Sequence, residues 1–368
     1  MQTLAFHLPQ FHPIPENDAW WGKGFTEWTN VARARPVVPG HYQPHLPADL
    51  GFYDLRLPEA RTAQAQLAGE YGVTGFCYYH YWFTGKRVLN RPVDEIVASG
   101  SPDFPFCLCW ANENWTRAWD GDTGQKLLEQ QHSNEDDLAH IEHLLPIFAD
   151  KRYVRVGGRP LFLVYRTELL PDPARTADIW RTAAVKAGIG DIFLARVESF
   201  RSDVNPASIG FDAAVEFAPD WRVVRDKHYG RVHRLLGKLG LFPKGYLVHR
   251  FAEYDDLVRD MLAKPEPTFR RYRCVTPGFD NSARRKLDAM IFTNNSPQAY
   301  GEWLRKTLLA EQSATRPADE KLVFVNAWNE WAEGNHLEPD QRWKRAFLEA
   351  HRDAVRAAGI RTFELDSR

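Results

Sequence analysis

Short apolar runs alternate with helical patterns from one end of the chain to the other, and this alternation constrains the fold more than any other feature. Runs of aliphatic and aromatic residues predict buried strands, whereas apolar residues at helical spacing predict amphipathic helices. The predicted strands cover 3–8, 73–79, 105–110, 160–165, 192–197, 213–218, 271–276 and 322–328. The predicted helices cover 58–71, 92–99, 134–149, 173–187, 251–264, 297–312 and 341–357.

Eight predicted strands, nearly all separated by a helical segment, favour a parallel sheet with helical crossovers. The run Leu161–Val164 is apolar at every position, which is typical of a strand buried on both faces. No strand is followed by the Gly-x-Gly-x-x-Gly phosphate loop of a nucleotide-binding sheet. We therefore predict a single α/β domain over residues 1–368, a (β/α)8 TIM barrel with long βα loops at about 12–57 and 222–250.

The overall composition excludes several classes of partner. The formal net charge is −1, which favours neither nucleic acid nor an anionic membrane surface. No window approaches the roughly 18 apolar residues of a membrane span, and no signal-peptide pattern precedes the first strand. The four cysteines all lie in predicted strands and have no zinc-ligand spacing, which is typical of buried thiols in a reducing compartment. We expect a cytoplasmic protein.

Polar residues follow nearly every predicted strand, at the end where barrel enzymes place their active sites. At or just beyond these strand ends lie His7 and Gln10 for the first strand, His80 for the second, Tyr165 for the fourth and Glu216 for the sixth. Side chains at the carboxyl ends of parallel barrel strands converge on one rim. This rim is the predicted site.

Glu330 and Glu333 are the strongest candidates for catalysis, because they end the eighth strand among tryptophans. In a straight strand they would face opposite sides, so a shared cleft requires a turn after Glu330, for which Gly334 has the propensity. Carboxylates beside aromatic rings suit glycoside chemistry, since burial raises a carboxyl pKa into the useful range. The alternative is a pair of capping and solvent-facing carboxylates before the last helix. Asn329 and Trp331 accompany the pair as candidate sugar-binding residues.

The segment Trp110–Arg117 places two amides and a carboxylate between two indoles. Amides offer a donor and an acceptor to sugar hydroxyls, and indoles stack on sugar faces. We predict substrate contacts from this segment. Alternatively, Asn114 forms a turn and Glu113 pairs with Arg117. The candidates here are Trp110, Asn112, Glu113, Asn114 and Trp115.

The histidines invite a metal hypothesis, but no His-x-x-x-His or His-Glu-x-x-His pattern unites them, so we predict neither metal nor cofactor. His7 and His80 remain candidates for binding sugar hydroxyls. Glu27 and Trp28 repeat the pairing of a carboxylate with an indole; they form either a wall of the cleft or a structural loop.

Asp280 and Asn281 follow the seventh strand and precede Arg284 and Arg285. They are candidates for binding sugar hydroxyls, or the acids and arginines simply pair. The insertion 222–250 is basic, which indicates either a solvated surface or a docking site for an anionic polysaccharide or phosphate-bearing donor.

Six motifs in order along the chain resemble those of WbsX-type proteins and, more distantly, of the family 99 endo-mannosidases and endo-mannanases. They occupy 6–12, 20–31, 41–45, 110–115, 277–281 and 329–334. The resemblance implies a (β/α)8 barrel and a role in O-antigen or related lipopolysaccharide loci. WbsX-type proteins are commonly labelled glycosyltransferases, whereas family 99 enzymes are retaining endo-glycosidases that form a 1,2-anhydro sugar. It implies that Glu330 is the base toward the sugar 2-hydroxyl and Glu333 the general acid/base.

The sequence thus predicts a retaining glycoside hydrolase acting on a bacterial surface polysaccharide or its precursor. A glycosyltransferase and a non-catalytic carbohydrate-binding barrel are the alternatives. Glu330 and Glu333 are the predicted catalytic pair. The predicted substrate-binding residues are His7, Gln10, Glu27, Trp28, His80, Trp110, Asn112, Glu113, Asn114, Trp115, Tyr165, Glu216, Asp280, Asn281, Asn329 and Trp331.

Overall fold

The structure is a computed structural model that describes residues 1–116, 126–201 and 204–360. Its centre is a parallel barrel whose strands neighbour one another in chain order, and β1 pairs with β8 to close it, with Leu4 beside Phe324. The seventh strand is interrupted at Arg273, so its first piece pairs with β6 and its second with β8. The strands are β1 Gln2–His7, β2 Gly75–Phe83, β3 Phe106–Trp110, β4 Arg159–Val164, β5 Phe193–Val197, β6 Ala213–Val215, β7 Arg271–Tyr272 with Cys274–Val275, and β8 Leu322–Val325.

Helices connect most of these strands and cover the barrel. They are α1 Pro15–Trp21, α2 Glu27–Arg33, α3 Pro58–Glu70, α4 Arg91–Ser99, α5 Asn134–Phe148, α6 Pro173–Lys186, α7 Arg231–Lys238, α8 Gly245–Val248, α9 Tyr254–Leu262, α10 Pro297–Ser313 and α11 Ala346–Ala357. The (β/α)8 barrel predicted from the alternation is confirmed. Between β5 and β6 the described residues hold only a 3-10 turn, Pro206–Ile209.

Local signals explain where the long helices begin. The Ser133 side chain accepts a hydrogen bond from the Asp136 amide at the start of α5, and Ser296 does the same for Ala299 in α10. These contacts satisfy amides that have no partner within the helix. Proline occupies the first turn of α3, α4, α6 and α10, where its missing N–H costs nothing.

Several predicted boundaries were wrong. Strand β2 runs to Phe83 because its far end forms a hairpin with Lys86–Val88, and β8 ends at Val325. The predicted helix 251–264 starts with a strand, Arg250–Glu253, which pairs with Met290–Thr293 outside the barrel. The insertions predicted as loops contain α1, α2, α7 and α8, which are too short to show a clear periodicity.

One apolar cluster joins residues of all eight strands, so the barrel interior is packed rather than hollow. Gly75 at the start of β2 is required by close approach, since a Cβ there would lie 2.9 Å from the Pro105 oxygen. All four cysteines are buried and unpaired, as predicted. Among the described residues, no helix combines the length and apolarity needed to cross a membrane.

Candidate active site

A cavity of about 530 Å3 opens at the carboxyl ends of the barrel strands. Its walls combine carboxylates, amides and aromatic rings, the residue types that characterise sugar sites. Eight of the predicted site residues line it: Gln10, Glu113, Asn114, Trp115, Tyr165, Asn281, Glu330 and Glu333.

The catalytic candidates lie on a tight hairpin that follows β8. Asn329–Glu330 pairs antiparallel with Asn335–His336, and Trp331–Glu333 between them form one 3-10 turn. Gly334 completes the turn at φ +55°, a left-handed conformation that favours glycine. The turn required for Glu330 and Glu333 to share a cleft is therefore present.

Arg284 joins both glutamates to a third carboxylate. Its Nη2 lies 3.0 Å from Glu330 Oε2 and its Nη1 2.5 Å from Glu333 Oε1. Its Nε lies 2.7 Å from Oε1 of Glu27, which is fully buried beneath the cavity. A planar guanidinium can hold three carboxylates in fixed directions, which an ammonium cannot. Arg284 is thus the structural centre of the site, and the sequence analysis left it as one possible partner of the acids.

The electrostatics of this cluster favour the protonated forms of Glu330 and Glu333. Burial raises the pKa of Glu330 to about 8; Arg284 opposes this shift, and neighbouring Glu333 and Glu27 add to it. Burial also raises the pKa of Glu333, against the influence of Arg284. One guanidinium cannot neutralise three carboxylates in a site of low dielectric. Burial therefore favours the protonated form of both glutamates, which is the direction that general acid catalysis requires.

The opposite wall comes from the loop after β3. Arg166 Nη1 lies 2.5 Å from Glu113 Oε1, so the partner of Glu113 is Arg166; Arg117, the partner considered from sequence, lies outside the described residues. Burial raises the pKa of Glu113, and Arg166 counters the rise. Asn114 accepts a hydrogen bond from the Gln130 amide, which fixes the loop. Trp115 lies against the aromatic rings of Trp20 and Tyr81.

Several lining residues were not predicted. Tyr79 and Tyr81 lie two apart on β2 and face the cavity, and Phe217 and Trp221 line it beyond β6. Because alternate strand residues share a face, the pattern Tyr79-x-Tyr81 at a strand end was the signal available in the sequence. These rings add an aromatic surface to the cavity wall.

Other predicted residues lie behind the hairpin rather than in the cavity. Asn329 accepts a hydrogen bond from the Leu8 amide at 2.7 Å and donates to the Leu8 carbonyl at 3.0 Å, which ties the hairpin to β1. Trp331 donates to buried Glu338 at 2.6 Å. Burial raises the pKa of Glu338 to about 7. Because these groups are already paired, they position the hairpin that carries Glu330 and Glu333 and do not face the cavity.

His7 and Trp28 belong to the same buried layer. His7 Nε2 lies 3.2 Å from Gln64 Oε1, and Gln64 donates to Glu338. Trp28 packs on Trp331 and donates to the Tyr53 carbonyl. The expectation that His7 and Trp28 face the cleft is not met in this structure, because His7 is buried against α3 and β2 and Trp28 is buried against Trp331.

The remaining predicted residues lie elsewhere in the barrel. His80 Nε2 faces His140 Nε2 at 2.9 Å between β2 and α5, and Trp110 is fully buried beside them. Asn112 binds the backbone of Arg166, and Glu216 pairs with Lys264 at 2.8 Å. None of these lines the cavity, because the side chains of these strand ends point alternately inward and toward the helices.

Asp280 lies on the far side of the hairpin. It pairs with His41 at 2.7 Å and accepts from Gln43 at 2.7 Å, so its partners are not the following arginines. Burial favours the neutral acid, but the hydrogen bond and charge of His41 hold the pKa of Asp280 below its usual range. Its neighbour Asn281 does line the cavity.

The fold and site together define a (β/α)8 barrel with a buried carboxylate pair at its carboxyl rim. A model of the family "Glycosyltransferase WbsX" matches residues 3–351, and the chain belongs to this family.

Among curated proteins, the chain is similar to "Uncharacterized protein WxcX" of Xanthomonas campestris pv. campestris strain B100, with 48% identity over 355 residues. The match covers 96% of this chain and 50% of the relative, so the chain spans about half the length of that protein.

Among solved structures, the chain is similar to the GH99 endo-alpha-mannosidase from Bacteroides thetaiotaomicron, with 15% identity and a TM-score of 0.58 over 97% of each chain. It is also similar to a "Glycoside hydrolase-like protein", with 14% identity and a TM-score of 0.59 over 96% of this chain and 93% of that one. At these identities the likeness supports the barrel fold alone.

Proposed function

We propose that this protein is a carbohydrate-active enzyme, a retaining glycoside hydrolase that acts through a 1,2-anhydro sugar. One observation carries the proposal: Glu330 and Glu333 line one cavity, are held by the same guanidinium, and both have raised pKa values. A pair that only capped a helix would lie in solvent and pair separately. The WbsX family and the barrel shared with a GH99 endo-alpha-mannosidase support the same class.

In the proposed reaction Glu330 takes the proton of the sugar 2-hydroxyl, and the freed oxygen attacks the anomeric carbon. The bond from that carbon to the leaving oxygen breaks as Glu333 gives the leaving oxygen its proton. Water then opens the 1,2-anhydro ring at the anomeric carbon: Glu333 takes a proton from water, and Glu330 returns its proton to O2. Two inversions at the anomeric carbon retain its configuration.

The protonation of the pair bears directly on this scheme. A carboxylate with a raised pKa is a stronger base, which suits Glu330 for a weakly acidic hydroxyl. In the free protein, however, burial favours the protonated form of both glutamates, while the reaction needs Glu330 ionised and the proton on Glu333. The sugar hydroxyl must therefore displace the proton when it docks beside Glu330. Arg284 contacts both carboxylates and so stabilises either arrangement.

The aromatic wall supports a sugar chain as substrate. Trp115, Trp221 and Tyr81 offer flat faces that stack on pyranose rings, and a cavity of about 530 Å3 accommodates more than one sugar unit. We propose a bacterial surface polysaccharide or its precursor, with endo action, and α-mannosides are the first glycosides to test because of the structural neighbour. The proposed compartment is the cytoplasm.

A glycosyltransferase is the second candidate, favoured by the family's description. Calorimetric titration with nucleotide sugars separates the two activities. Micromolar binding of a nucleotide sugar would support transfer, and its absence together with oligosaccharide cleavage would support hydrolysis.

The decisive experiment compares Glu333→Gln with the unchanged protein on defined oligosaccharides, with product anomers followed by NMR. We expect turnover of natural glycosides to fall by about a thousandfold, because the leaving oxygen loses its acid. An aryl glycoside with an activated leaving group should recover much of the rate in Glu333→Gln and none in Glu330→Gln. The exposed Glu59→Gln serves as the control. Equal loss on both substrates in Glu333→Gln would refute the assigned roles.

A further inference from the structure

A second cavity, of about 240 Å3, lies on the other side of Phe279 from the catalytic one. Imidazoles and carboxylates converge on it from distant parts of the chain, among them His45, His336 and Asp340. His45 Nδ1 lies 3.0 Å from His336 Nε2, and these atoms and a carboxylate oxygen of Asp340 all lie within 4.8 Å of one another. None of the three belongs to the cluster around Arg284.

The ring orientations define which atoms can bind. His336 Nδ1 lies 2.9 Å from the Glu338 carbonyl, which can only accept, so this nitrogen carries the proton. Nε2 of His336 therefore presents a lone pair toward His45. A backbone carbonyl that fixes the far nitrogen of an imidazole is the usual support of a metal-ligating histidine. The ring of His336 is held further by stacking on Trp331, with 3.8 Å between centroids.

Ring stacking also holds His45. Its ring stacks on Tyr42 at 4.4 Å and meets His336 edge to face. His45, His336 and Asp340 thus direct two ring nitrogens and a carboxylate oxygen toward one point. Neutral imidazole and carboxylate are the forms that bind zinc and related cations.

We propose that His45, His336 and Asp340 bind a divalent transition cation of the zinc class, with a further position open to the cavity. Zinc–nitrogen bonds of about 2.0–2.1 Å at a tetrahedral angle separate two ligand nitrogens by roughly 3.3 Å. The observed 3.0 Å needs a shift of only a few tenths of an ångström. Two neutral imidazoles and one carboxylate leave the centre with a single positive charge.

This site would tie two further segments to the hairpin that carries Glu330 and Glu333. His336 pairs with Asn329 in that hairpin, Asp340 follows it, and His45 comes from the insertion 12–57. A cation there would fix the hairpin that carries Glu330 and Glu333 without touching substrate. The prediction of no metal rested on sequence spacing, which cannot detect ligands separated by almost the full chain.

The test starts with elemental analysis of the purified protein, followed by chelation and titration with Co2+ and Zn2+. We expect binding at a one-to-one ratio, visible d–d absorption of tetrahedral Co2+, and a higher melting temperature with metal. His45→Gln and Asp340→Asn should weaken binding at least tenfold, whereas His228→Gln, at an exposed histidine, should not.

The alternative is a hydrogen bond from His45 Nδ1–H to His336 Nε2 with no cation. Chelated wild-type protein that binds neither metal at millimolar concentration would establish that alternative and overturn the proposal. Unchanged binding in both variants would also overturn it. The measurement on the wild type needs no variant to fold, and its failure would leave the proposed hydrolase untouched.

An independent feature is the exposed face of α7. Val232, Leu235 and Leu239 follow helical spacing and are 68%, 60% and 64% exposed, and Leu241 beyond the helix is 71% exposed. Isolated exposed aliphatics are normal, but a contiguous set marks an interaction surface. Gly237 faces the rest of the protein, where an added Cβ would contact Leu247. The helix therefore packs against the protein through the side that carries this glycine.

A basic face adjoins this apolar stripe. Arg231, Arg234 and Lys238 are exposed, and within the described ranges no ion pair engages them. On a helical wheel the three basic residues form one arc beside the arc of Val232, Leu235 and Leu239. A basic arc beside an apolar arc is the pattern of helices that lie in a membrane interface.

We propose that α7 docks on an anionic phospholipid surface, with its apolar stripe inserted and its basic arc on the headgroups. The net charge of −1 does not favour this partner for the molecule as a whole; the local patch does. The basic arc is complementary in charge to anionic headgroups. A second copy of the chain would bring two basic arcs together, and these would repel each other, so we infer a lipid surface as the partner.

Co-sedimentation with vesicles of phosphatidylglycerol and phosphatidylethanolamine tests this inference. We expect binding that falls with added salt, is absent on phosphatidylcholine, and is lost when Leu235 and Leu239 are both changed to glutamate. Leu287→Glu, at a residue 68% exposed elsewhere, is the control. The proposal would be refuted if binding to the anionic vesicles did not exceed binding to phosphatidylcholine vesicles. It would also be refuted if light scattering showed a dimer of the unchanged protein that the double variant does not form.

Discussion

Arg284 Nη1 donates to Glu333 Oε1 at 2.5 Å, while its other donors hold Glu330 and Glu27. Lysine keeps the charge but has no planar fork to hold three carboxylates at once. We therefore expect Arg284→Lys to lower kcat/KM by a hundredfold or more. Steady-state kinetics on a cleaved oligosaccharide would measure it.

The neighbouring Lys286→Gln is the matched control, because Lys286 is exposed and lies outside the cavity. It should leave kcat/KM within about twofold. An Arg284→Lys enzyme as active as Lys286→Gln would show that the guanidinium does not organise the pair.

The pH profile should report the shared proton. In the productive form the pair carries one proton. At low pH both glutamates are protonated, so the base is lost. Above about pH 8 the last proton leaves, so the acid is lost. We expect a bell-shaped kcat/KM profile whose alkaline limb falls tenfold per pH unit. Because Arg284 lowers the pKa of Glu330, Arg284→Gln should move that limb to higher pH. An alkaline limb that stays in place would contradict this coupling.

Stability should depend on the same group. The folded pKa of Glu330 lies above its ordinary value of 4.5, so the folded protein binds a proton more tightly. The contribution of Glu330 to stability is complete below pH 4.5 and declines toward pH 8, by at most about 1.4 kcal/mol per pH unit. Glu330→Gln should therefore raise the melting temperature more at pH 8 than at pH 5. Glu59→Gln, exposed on α3, should show no such difference.

The alternation of apolar runs predicted the barrel because strands buried on both faces leave a continuous hydrophobic signal, as in Leu161–Val164. The pair Glu330 and Glu333 was predicted because two acids end an apolar strand. Arg284 was not singled out, since its contact with Glu27 spans 257 residues and exists only in the folded chain. No local pattern encodes such a contact.

Two residues next to the glutamate pair in sequence were predicted as site residues but lie outside the cavity. Asn329 and Trp331 flank Glu330, so the sequence predicted all three as site residues. In the hairpin only Glu330 of these lines the cavity, while Asn329 and Trp331 bind Leu8 and Glu338 behind it. Successive residues of an extended segment point to opposite faces. A contiguous motif therefore mixes residues that touch substrate with residues that hold them.

Trp331→Phe separates these two roles. It removes the hydrogen bond to buried Glu338 and keeps most of the ring, so we expect a loss of about 1–3 kcal/mol of stability and a lower kcat with KM nearly unchanged. Trp115→Phe, on the cavity wall, should instead raise KM. Urea unfolding and kinetics measure both variants. A raised KM in Trp331→Phe alone would return Trp331 to the substrate-binding residues.

Gly334→Ala tests the turn that brings the two glutamates together. Gly334 has φ +55°, where alanine costs about 1–2 kcal/mol, and its Cβ would lie 2.9 Å from Asp280 Cβ and 3.2 Å from the Asp280 amide nitrogen. Relief of that contact must move Asp280 or the turn that ends in Glu333, whose carbonyl accepts from the Asp280 amide. We expect a lower melting temperature and at least a tenfold loss of kcat/KM. Gly230→Ala is the control, since Gly230 has φ −75° and open space around it. If both variants behave alike, neither the left-handed turn nor its contact with Asp280 holds Glu333 in place.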